Sequence, residues 1–480
     1  MSHSLPSGVQ RPHDPAYQLE FVRGEGCYLW DSSGKRYLDL VSGYSSLSFG
    51  HSHPRLVAAA KDQFDKLVHV VGWNHPWRTE LADRLSQLAP VQQRAQTWIS
   101  TTGARAVEIA WKIAYAARPG VIVSFDYAYH GRSIATSQIT STDRIDIPLP
   151  QTIESVTPTN QRSIALPVLP YPPCEACPFA LDRSSCAAEC FNDSEARLRL
   201  HADKISAVIV EPALGARGYY FAANAFFHRL RKVTRETGIL LIDDEIQMGL
   251  GRLGSLFAAT SQGWEPDLIV LGKSLGGGLV NVSAIIGNER LMSGLPPGVE
   301  SETFAADPLA CRVAIEVLDL FHEEIEPRLA VVSSALKNGI DRLHQELSNR
   351  FPSLRLRVDS QGCAAVIQIL PNSPEPITLA RGGAPNPEPM ALATGGAPND
   401  IPSHRTQPEA SAYGSGASPA AVAQAWTGRA LHGGLLVHWS GKHRDRIVLI
   451  PPLTANAEKI DQAIEILIAT CPGSQSTEVT

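Results

Sequence analysis

The length, composition and charge of the chain exclude several classes of protein. Its 480 residues are enough for two or three packing units, and a content of 44% hydrophobic and 19% charged residues is typical of a globular protein. The formal net charge of −6 favours neither nucleic acid nor an anionic membrane surface as a partner. Residues 1–14 lack the apolar core of a secretory signal, and no stretch reaches the roughly 18 apolar residues of a spanning helix. We therefore expect a cytoplasmic protein that binds neither nucleic acid nor membrane.

Short apolar runs in the middle of the chain predict a sheet. A hairpin-like stretch at residues 26–41 is followed by helical segments that alternate with runs of Val, Ile and Leu. The runs are Val121–Phe125, Ala207–Val210, Gly238–Ile242 and Asp267–Leu271. Such runs are typical of buried, mainly parallel strands. The sequence therefore predicts an α/β fold with functional groups at the carboxyl ends of the strands.

A segment near the C-terminus differs in composition from the rest of the chain. Sixteen of the 52 residues in 371–422 are Pro or Gly, and the sequence Leu379–Asn386 recurs with one change as Leu392–Asn399. A repeat this short and rich in proline cannot bury a core, so we interpret 371–422 as a flexible surface insertion. A helix at Gln424–Leu431 and a strand at Ile447–Ile450 are expected after it.

Three acidic residues, Asp243, Asp244 and Glu245, end the apolar run that begins at Gly238. At the carboxyl end of a strand they would face the edge of the sheet where ligands bind. The alternative is that these acids cap a helix or are simply solvated. This stretch alone does not decide between the two interpretations.

Lys273 follows the apolar run Asp267–Leu271 and precedes the glycine run Gly276–Gly278. Burial at a strand end disfavours the charged form of a lysine, which lowers its pKa and makes it a better nucleophile toward an aldehyde. The alternative is a lysine that extends to solvent. The glycines leave room for a bulky group beside the amine.

The residues Ser100–Glu108 predict the start of a helix whose apolar face carries Val107, Ala110, Trp111, Ala114 and Ala117. Free backbone N–H groups and the helix dipole make such a start an anion site, although an ordinary capped helix is the alternative. A lysine, an acid on a neighbouring strand and a phosphate cradle are together what pyridoxal phosphate (PLP) requires. We therefore interpret Lys273 as the residue that carries PLP as a Schiff base and Asp244 as the partner of its pyridine nitrogen.

Motifs in a fixed order make the chain similar to the class III aminotransferases, which are PLP enzymes of fold type I. These motifs are Gly26–Asp31, Gly34–Asp39, Gly50–Pro54, Tyr129–Arg132, Glu211–Pro212, Asp244–Gln247, Gly249–Arg252, the Lys273 stretch, Thr303 and Pro451–Leu453. The resemblance implies an α/β fold with a large domain built on a mostly parallel sheet and a small α+β domain built from both chain ends. The expected units are residues 1–60 as the N-terminal segment of the small domain, 61–310 as the large PLP-binding domain, and 311–480 as the C-terminal small domain with the insertion 371–422.

The resemblance also implies roles for individual residues. Lys273 and Asp244 would be the catalytic pair, with Lys273 as the proton shuttle and Asp244 keeping the ring nitrogen protonated. The cofactor would further be bound by Gly103 and Ala104 through their backbone, by Tyr129 stacking on the ring, by His130, by Gln247 at the ring hydroxyl, and by Thr303 from the partner subunit. The substrate pocket would include Tyr44, Trp73 and Glu211. The role of Thr303 implies a homodimer.

The sequence departs from the family pattern at several positions. Ala104 and Arg105 stand where the family usually has a hydroxyl residue and an acid, and Arg217 lies in an altered loop after Pro212. Val448 stands where many members have an arginine that binds the substrate's carboxylate bidentately. We therefore favour an amino donor whose reacting amine is distant from its carboxylate, such as a diaminobutyrate- or 4-aminobutyrate-like compound, or a larger unusual amine.

Four cysteines crowd into one short segment, at Cys174, Cys177, Cys186 and Cys190. Their number and spacing are compatible with a structural zinc ion or an iron–sulfur cluster. The segment is rich in proline and lacks the glycines of a zinc knuckle, so reduced structural thiols are the alternative.

The leading hypothesis is an aminotransferase that moves an amino group from an amine or ω-amino acid to a 2-oxo acid. A PLP-dependent racemase, epimerase or decarboxylase is the alternative, because the same Lys, Asp and Gln serve those reactions. A non-catalytic scaffold that binds PLP or a metal is a second alternative. A buried lysine with an acid partner argues against it.

Overall fold

The computed structural model describes residues 19–141, 168–296, 298–371 and 417–472. Its strands are β1 (Phe21–Glu25), β2 (Tyr28–Asp31), β3 (Arg36–Asp39), β4 (Ala95–Ser100), β5 (Val121–Phe125), β6 (Val168–Leu169), β7 (Ile205–Val210), β8 (Ala213–Leu214), β9 (Tyr220–Phe221), β10 (Leu240–Asp244), β11 (Leu268–Leu271), β12 (Ser283–Asn288), β13 (Leu356–Gln361), β14 (Ala364–Ile369), β15 (Leu435–Leu436), β16 (His438–Ser440) and β17 (Arg446–Leu449). Its helices are α1 (Ser42–Ser45), α2 (Pro54–Phe64), α3 (Pro76–Leu88), α4 (Gly103–Ala117), α5 (Ile134–Ile139), α6 (Asn192–Leu200), α7 (Asn224–Thr237), α8 (Ala258–Gln262), α9 (Glu289–Met292), α10 (Pro308–Leu320), α11 (Leu329–Arg350), α12 (Pro419–His432) and α13 (Ala457–Thr470).

The central sheet has seven strands in the order β4–β12–β11–β10–β7–β5–β6. The strands β11, β10, β7, β5 and β6 run parallel, whereas β12 is antiparallel to both of its neighbours. All residues of β7 and β11 are buried, in keeping with their continuous apolar sequences. All four predicted apolar runs are strands of this sheet, which confirms the α/β prediction.

The carboxyl ends of three adjacent strands meet at one edge of the central sheet. Asp244 is the last residue of β10, Glu211 follows β7 directly, and Lys273 lies two residues beyond β11. The strand β10 pairs in parallel with both β7 and β11. Because parallel strands end at the same edge, the fold brings these three side chains together.

Helix α4 packs on the central sheet through its apolar side. Of the five residues predicted on this side, Val107, Ala110 and Ala114 are buried and Trp111 is half-buried. The prediction is wrong for Ala117, which is exposed at the end of the helix. The side chain of Thr102 caps the helix by accepting a hydrogen bond from the Arg105 N–H at 3.3 Å. The helix therefore begins at Gly103, beside the edge that carries Asp244 and Lys273.

Two four-stranded sheets lie outside the central sheet. One has the order β1–β2–β3–β15, in which β15 pairs in parallel with β3. Residues near the N-terminus and residues near the C-terminus therefore both contribute to this sheet. The other has the order β13–β14–β17–β16 and is antiparallel. The predicted strand Ile447–Ile450 is observed as β17, one residue earlier. The domain boundaries at residues 60 and 310 stay a prediction.

The predicted insertion 371–422 falls largely outside the described residues, since 372–416 are not among them. Its last four residues form the first turn of α12, which begins at Pro419. The Ser418 side chain caps this helix by accepting from the Ala421 N–H at 3.3 Å, and proline suits a first helical position. The helix predicted at Gln424–Leu431 is therefore the later part of α12.

Two ion pairs tie the cysteine-containing segment to the antiparallel sheet. Arg446 of β17 donates to the Glu175 carboxylate at 2.6 Å, and Arg183 donates to both carboxylate oxygens of Asp359 in β13, at 2.7 and 3.0 Å. Arg446 is 2% exposed, so the first pair is a buried one. Removing one partner of such a pair costs about 3–5 kcal/mol, because the other charge stays buried.

Within the described residues, no helix has the length and apolar character needed to cross a membrane.

Candidate active site

Lys273 lies just beyond β11 in a backbone conformation that L-residues rarely adopt. Its φ is +40°, and its Nζ donates a hydrogen bond to Oε1 of Gln247 at 2.7 Å. Burial lowers the pKa of Lys273 to about 8, although the neighbouring carboxylates of Glu211 and Asp244 favour the charged form. The amine is therefore both oriented and easier to deprotonate than an ordinary lysine.

Asp244 is buried and paired with a histidine. Its Oδ2 lies 2.7 Å from Nδ1 of His130, and its Oδ1 accepts the Ile246 N–H at 3.2 Å. The backbone N–H of His130 donates to the Thr140 hydroxyl at 2.9 Å, which fixes the position of the histidine. Nε2 of His130 is buried and has no hydrogen-bond partner within the described part of the chain. The structure thus holds a carboxylate at the sheet edge beside Lys273, as a protonated ring nitrogen requires.

The start of α4 approaches the site closely because Gly103 lacks a side chain. A Cβ at Gly103 would lie 2.8 Å from Cδ1 of Ile246, which is two residues after Asp244. Ile246 also packs over Gly272, whose own Cβ position would lie 3.7 Å from the Cα of Gly103. The backbone N–H groups of Gly103 and Ala104 are thereby placed next to the strand ends that carry Asp244 and Lys273.

Glu211 is a third buried carboxyl at this edge. It accepts the backbone N–H of Tyr129 at 2.8 Å and that of Gly215 at 3.4 Å. Burial raises the pKa of Glu211 to about 7, with His130 acting in the opposite direction and Asp244 in the same one. The hydrogen bond that the Tyr129 N–H donates to Glu211 fixes the backbone of Tyr129, whose side chain is predicted to stack on the cofactor.

Gln247 connects Lys273 to a residue that the sequence did not reveal. Its Nε2 donates to the hydroxyl of Tyr219 at 3.1 Å, while its Oε1 accepts from Lys273. Tyr219 is 1% exposed and has a φ of +59°. The doublet Tyr219-Tyr220 carries no signal in the sequence that would have marked it as part of the site.

Tyr44 is presented by an unusual turn. All four residues of α1 have positive φ, at +47° for Ser42, +54° for Gly43, +55° for Tyr44 and +71° for Ser45, so α1 is a single left-handed turn. Left-handed backbone is disfavoured for L-residues and persists where surrounding contacts impose it. Here the Ser274 hydroxyl, next to Lys273 in sequence, donates to the Ser45 carbonyl.

The hydroxyl of Tyr44 faces a second residue missed by sequence reasoning. It lies 3.4 Å from Nδ1 of His438, and the two rings meet edge to face with centroids 4.9 Å apart. Burial lowers the pKa of His438 to about 4, with Arg444 acting in the same direction. The imidazole is therefore neutral at neutral pH.

Two predicted site residues are not brought to this cluster by the single chain. Trp73 is 78% exposed. Thr303 is exposed in a turn beside Glu302, which accepts hydrogen bonds from the Ser100 and Thr101 hydroxyls at 2.6 and 2.7 Å. Arg105, whose orientation was open, donates to Glu300 and to Glu108 and so faces acidic side chains instead of the cofactor.

The prediction of a metal at Cys174, Cys177, Cys186 and Cys190 is not supported. The four cysteines line one small pocket with Pro173 and Pro178, yet no group of three or more Cys, His, Asp or Glu among the described residues is placed to hold a metal ion. Burial raises the pKa of the Cys174 thiol to about 12 and also raises that of Cys190. A metal needs thiolates that converge to within about 2.3 Å of one point. These residues instead fit the alternative of reduced structural thiols.

The site as a whole fits PLP. A desolvated amine at Lys273 suits an aldehyde, a buried carboxylate at Asp244 suits a ring nitrogen, and the helix start at Gly103 suits a phosphate. The histidine that contacts Asp244 through Nδ1 also has a buried Nε2, for which the described residues provide no hydrogen-bond partner. These groups come from three different strand ends, so their convergence is a property of the fold.

Comparison with known proteins places the chain in a family. The model of the family described as Aminotransferase class-III matches residues 9–380. The chain is 35% identical over 343 residues to the 5-aminovalerate aminotransferase of Pseudomonas aeruginosa, covering 70% of this chain and 76% of that protein. It is 33% identical over 378 residues to the 4-aminobutyrate aminotransferase of Escherichia coli, covering 77% and 81%.

Two further comparisons identify a relative that catalyses a different reaction and a solved structure with the same fold. A leucine/methionine racemase of Thermococcus litoralis is 31% identical over 313 residues, covering 64% of this chain and 67% of that protein. A thermostable ω-transaminase variant from Pseudomonas jessenii has the same fold, with a TM-score of 0.76, 22% identity and 96% of each chain covered. The chain therefore belongs to the class III aminotransferase family of fold type I and is a PLP-dependent transaminase.

Proposed function

We propose that the protein transfers the terminal amino group of an ω-amino acid of the 4-aminobutyrate or 5-aminovalerate type to a 2-oxo acid. The observation that carries this proposal is the convergence of Lys273, Asp244 and Glu211 at neighbouring strand ends, with Gln247 bonded to the amine at 2.7 Å. The names of two relatives support the donor class. The buried Val448 supports it as well, since it provides no cation for a carboxylate beside the reacting amine.

The cofactor and the residues of the chain make separate contributions to the reaction. Bound PLP supplies an electron-accepting ring that stabilises negative charge on the carbon next to the transferred nitrogen. Asp244, held by His130 at 2.7 Å, would keep the ring nitrogen protonated. Nζ of Lys273 would be the base that takes the proton from the substrate carbon and later gives it back, and Gln247 orients that amine.

The remaining cofactor contacts are part of the same proposal. Gly103 and Ala104 would donate their backbone N–H groups to the phosphate at the start of α4. The ring of Tyr129 would stack on the cofactor, and Gln247 would contact the ring hydroxyl. Glu211 and Tyr44 would line the substrate side of the site.

A homodimer is part of this proposal. Exposed apolar side chains lie near Trp73 in the sequence at Phe64 and Val71, exposed by 59% and 55%, and Phe304 is exposed by 62%. We refer to these four residues as the apolar surface around Trp73. The ring of Phe304 contacts His69 at 4.6 Å, which brings this surface next to Thr303. A second copy of the chain would cover the surface and bring Thr303 to the partner's phosphate site. The cytoplasmic location expected from the sequence stays a prediction.

The test of the proposed function uses Lys273→Ala. The wild-type protein with PLP should lose the absorption band of its bound cofactor when 5-aminovalerate is added, and regain it with a 2-oxo acid. Lys273→Ala should show neither the original band nor turnover, whereas the exposed Lys337→Ala should behave as wild type. A band that persists with every amine would refute the transfer, and a band that returns without a 2-oxo acid would indicate the racemase reaction instead.

A further inference from the structure

A 2-oxo acid presents a problem that an ω-amino acid does not. Its carboxylate is directly attached to the reacting carbonyl carbon, so it enters the site beside Lys273. A buried carboxylate is costly unless hydrogen-bond donors or a cation receive it. The following inference rests on the proposed function, in which a 2-oxo acid is the amino acceptor.

The wall of the site near Lys273 is formed by a loop and a strand pair. A Cβ at Gly215 would lie 2.6 Å from Cδ of Gln247, so the loop after Glu211 touches the glutamine that orients Lys273. The Ser440 hydroxyl of β16 donates to the carbonyl of Ala216 in this loop at 3.3 Å. The strand β16 therefore lies beside the site.

The neighbouring strand β17 supplies no cation to this wall. Val448 of β17 pairs directly with His438 of β16. The side chain of Arg446, two residues before Val448, is engaged by Glu175 and by the Tyr220 ring at 3.8 Å. Arg252 donates to the carbonyls of Cys363 and Pro451, both at 2.8 Å, and is fully buried. Neither arginine is placed to receive a substrate.

His438 and Tyr44 are two polar residues at this wall. The Tyr44 hydroxyl and Nδ1 of His438 are 3.4 Å apart, which is long for an O–H···N hydrogen bond. The left-handed turn at Ser42–Ser45 holds Tyr44, and the Ser274 hydroxyl ties that turn to the residue after Lys273. The turn thereby holds Tyr44 close to the residue that follows Lys273.

We propose that Tyr44 and His438 together bind the carboxylate of the 2-oxo acid, through the tyrosine O–H and an imidazole N–H. Two neutral donors receive the acceptor's carboxylate in this chain in place of an arginine. The carboxylate contact belongs to the acceptor half-reaction, because an ω-amino acid carries no carboxylate next to its reacting carbon.

The test compares two acceptors that differ in that carboxylate. The holoenzyme is first aminated with 5-aminovalerate, and the return of the cofactor band is then followed with pyruvate or with acetaldehyde. The variants are Tyr44→Phe and His438→Leu. Trp439→Phe serves as the matched control, because the next residue of a strand points to the opposite face.

We expect both variants to raise KM for pyruvate by about 10- to 100-fold, the loss typical of a hydrogen bond to a charged group. KM for acetaldehyde, which lacks the carboxylate, should stay within about twofold of wild type in His438→Leu. An unchanged KM for pyruvate would overturn the proposal, and so would an equal rise for both acceptors. An effect seen with Arg217→Ala instead would assign the carboxylate to that arginine. If 5-aminovalerate failed to aminate the wild-type holoenzyme, the proposed donor class would be refuted. The acceptor proposal would then be tested by measuring KM for pyruvate with holoenzyme aminated by another amine.

Discussion

Two opposing effects act on the amine of Lys273. Burial disfavours its charged form and the carboxylates of Glu211 and Asp244 favour it, and burial prevails, so that the pKa falls to about 8. An ordinary lysine, with a pKa of about 10.4, is almost wholly charged at a pH of about 8. At the same pH roughly half of the Lys273 side chains are neutral, and only the neutral amine attacks an aldehyde.

We therefore expect cofactor-free protein to take up PLP faster as the pH rises and the rate to level off above a midpoint of about 8. The measurement is the growth of the absorption band of the bound cofactor after mixing, at a series of pH values. A peptide with one lysine gives the reference curve of rate against pH, with a midpoint at a pH of about 10.4. Coincidence of the two curves would contradict the lowered pKa.

At the residue scale, sequence reasoning succeeded where the local sequence defines both burial and position. Lys273 and Asp244 each end an apolar run, so their place at a strand end could be predicted. Tyr219 and His438 could not be predicted, because their roles depend on contacts with Gln247 and Tyr44, which are distant in the chain. Trp73 stays unassigned because its surroundings would include a second chain.

At the scale of the element, the position of the start of α4 depends on the absence of a side chain at Gly103. Ile246 occupies the space that a Cβ on Gly103 would take, with 2.8 Å to its Cδ1. Contacts this short force one of the two groups to move. Displacing the helix start would move the backbone N–H groups of Gly103 and Ala104 away from the phosphate.

Gly103→Ala should therefore weaken PLP binding by about 10-fold, equivalent to about 1.4 kcal/mol. Adding Ile246→Val should restore most of the affinity, because valine lacks the Cδ1 atom that is in the way. Titration of cofactor-free protein with PLP gives the dissociation constants, and Ile246→Val alone is the control. If the double variant bound no better than Gly103→Ala, the steric explanation would be wrong.

The elements themselves differ in how far the sequence predicts them. The strands β5, β7, β10 and β11 could be predicted because continuous apolar runs are local. The left-handed turn Ser42–Ser45 could not, since only Gly43 favours positive φ on its own. Tertiary bonds impose the rest of the turn, including the Ser42 hydroxyl donating to the Ile450 carbonyl at 2.5 Å. The beginning of α12 was likewise hidden by the low-complexity sequence around Pro419.

At the scale of the whole molecule, the proposed homodimer would bury the apolar surface around Trp73. Trp73→Glu should convert the protein from a particle of twice 51.8 kDa to one of 51.8 kDa in sedimentation velocity, because a buried unpaired charge opposes association. PLP affinity should fall with it if Thr303 reaches the partner's phosphate. The control is Val331→Glu, which changes an equally apolar residue, 59% exposed, on α11. A wild-type protein that sediments as a monomer would contradict the proposed dimer.

The ion pairs that join the cysteine-containing segment to β13 and β17 have a consequence for how the molecule comes apart. Opening residues 174–190 requires breaking the Arg183–Asp359 pair and leaving either Arg446 or Glu175 as an isolated charge in the interior. Local opening of this segment therefore costs about 3–5 kcal/mol for the isolated buried charge, in addition to the contacts that it breaks. We expect the amide hydrogens of the segment to exchange together with those of β13 and β17, in spite of the distance between them along the chain.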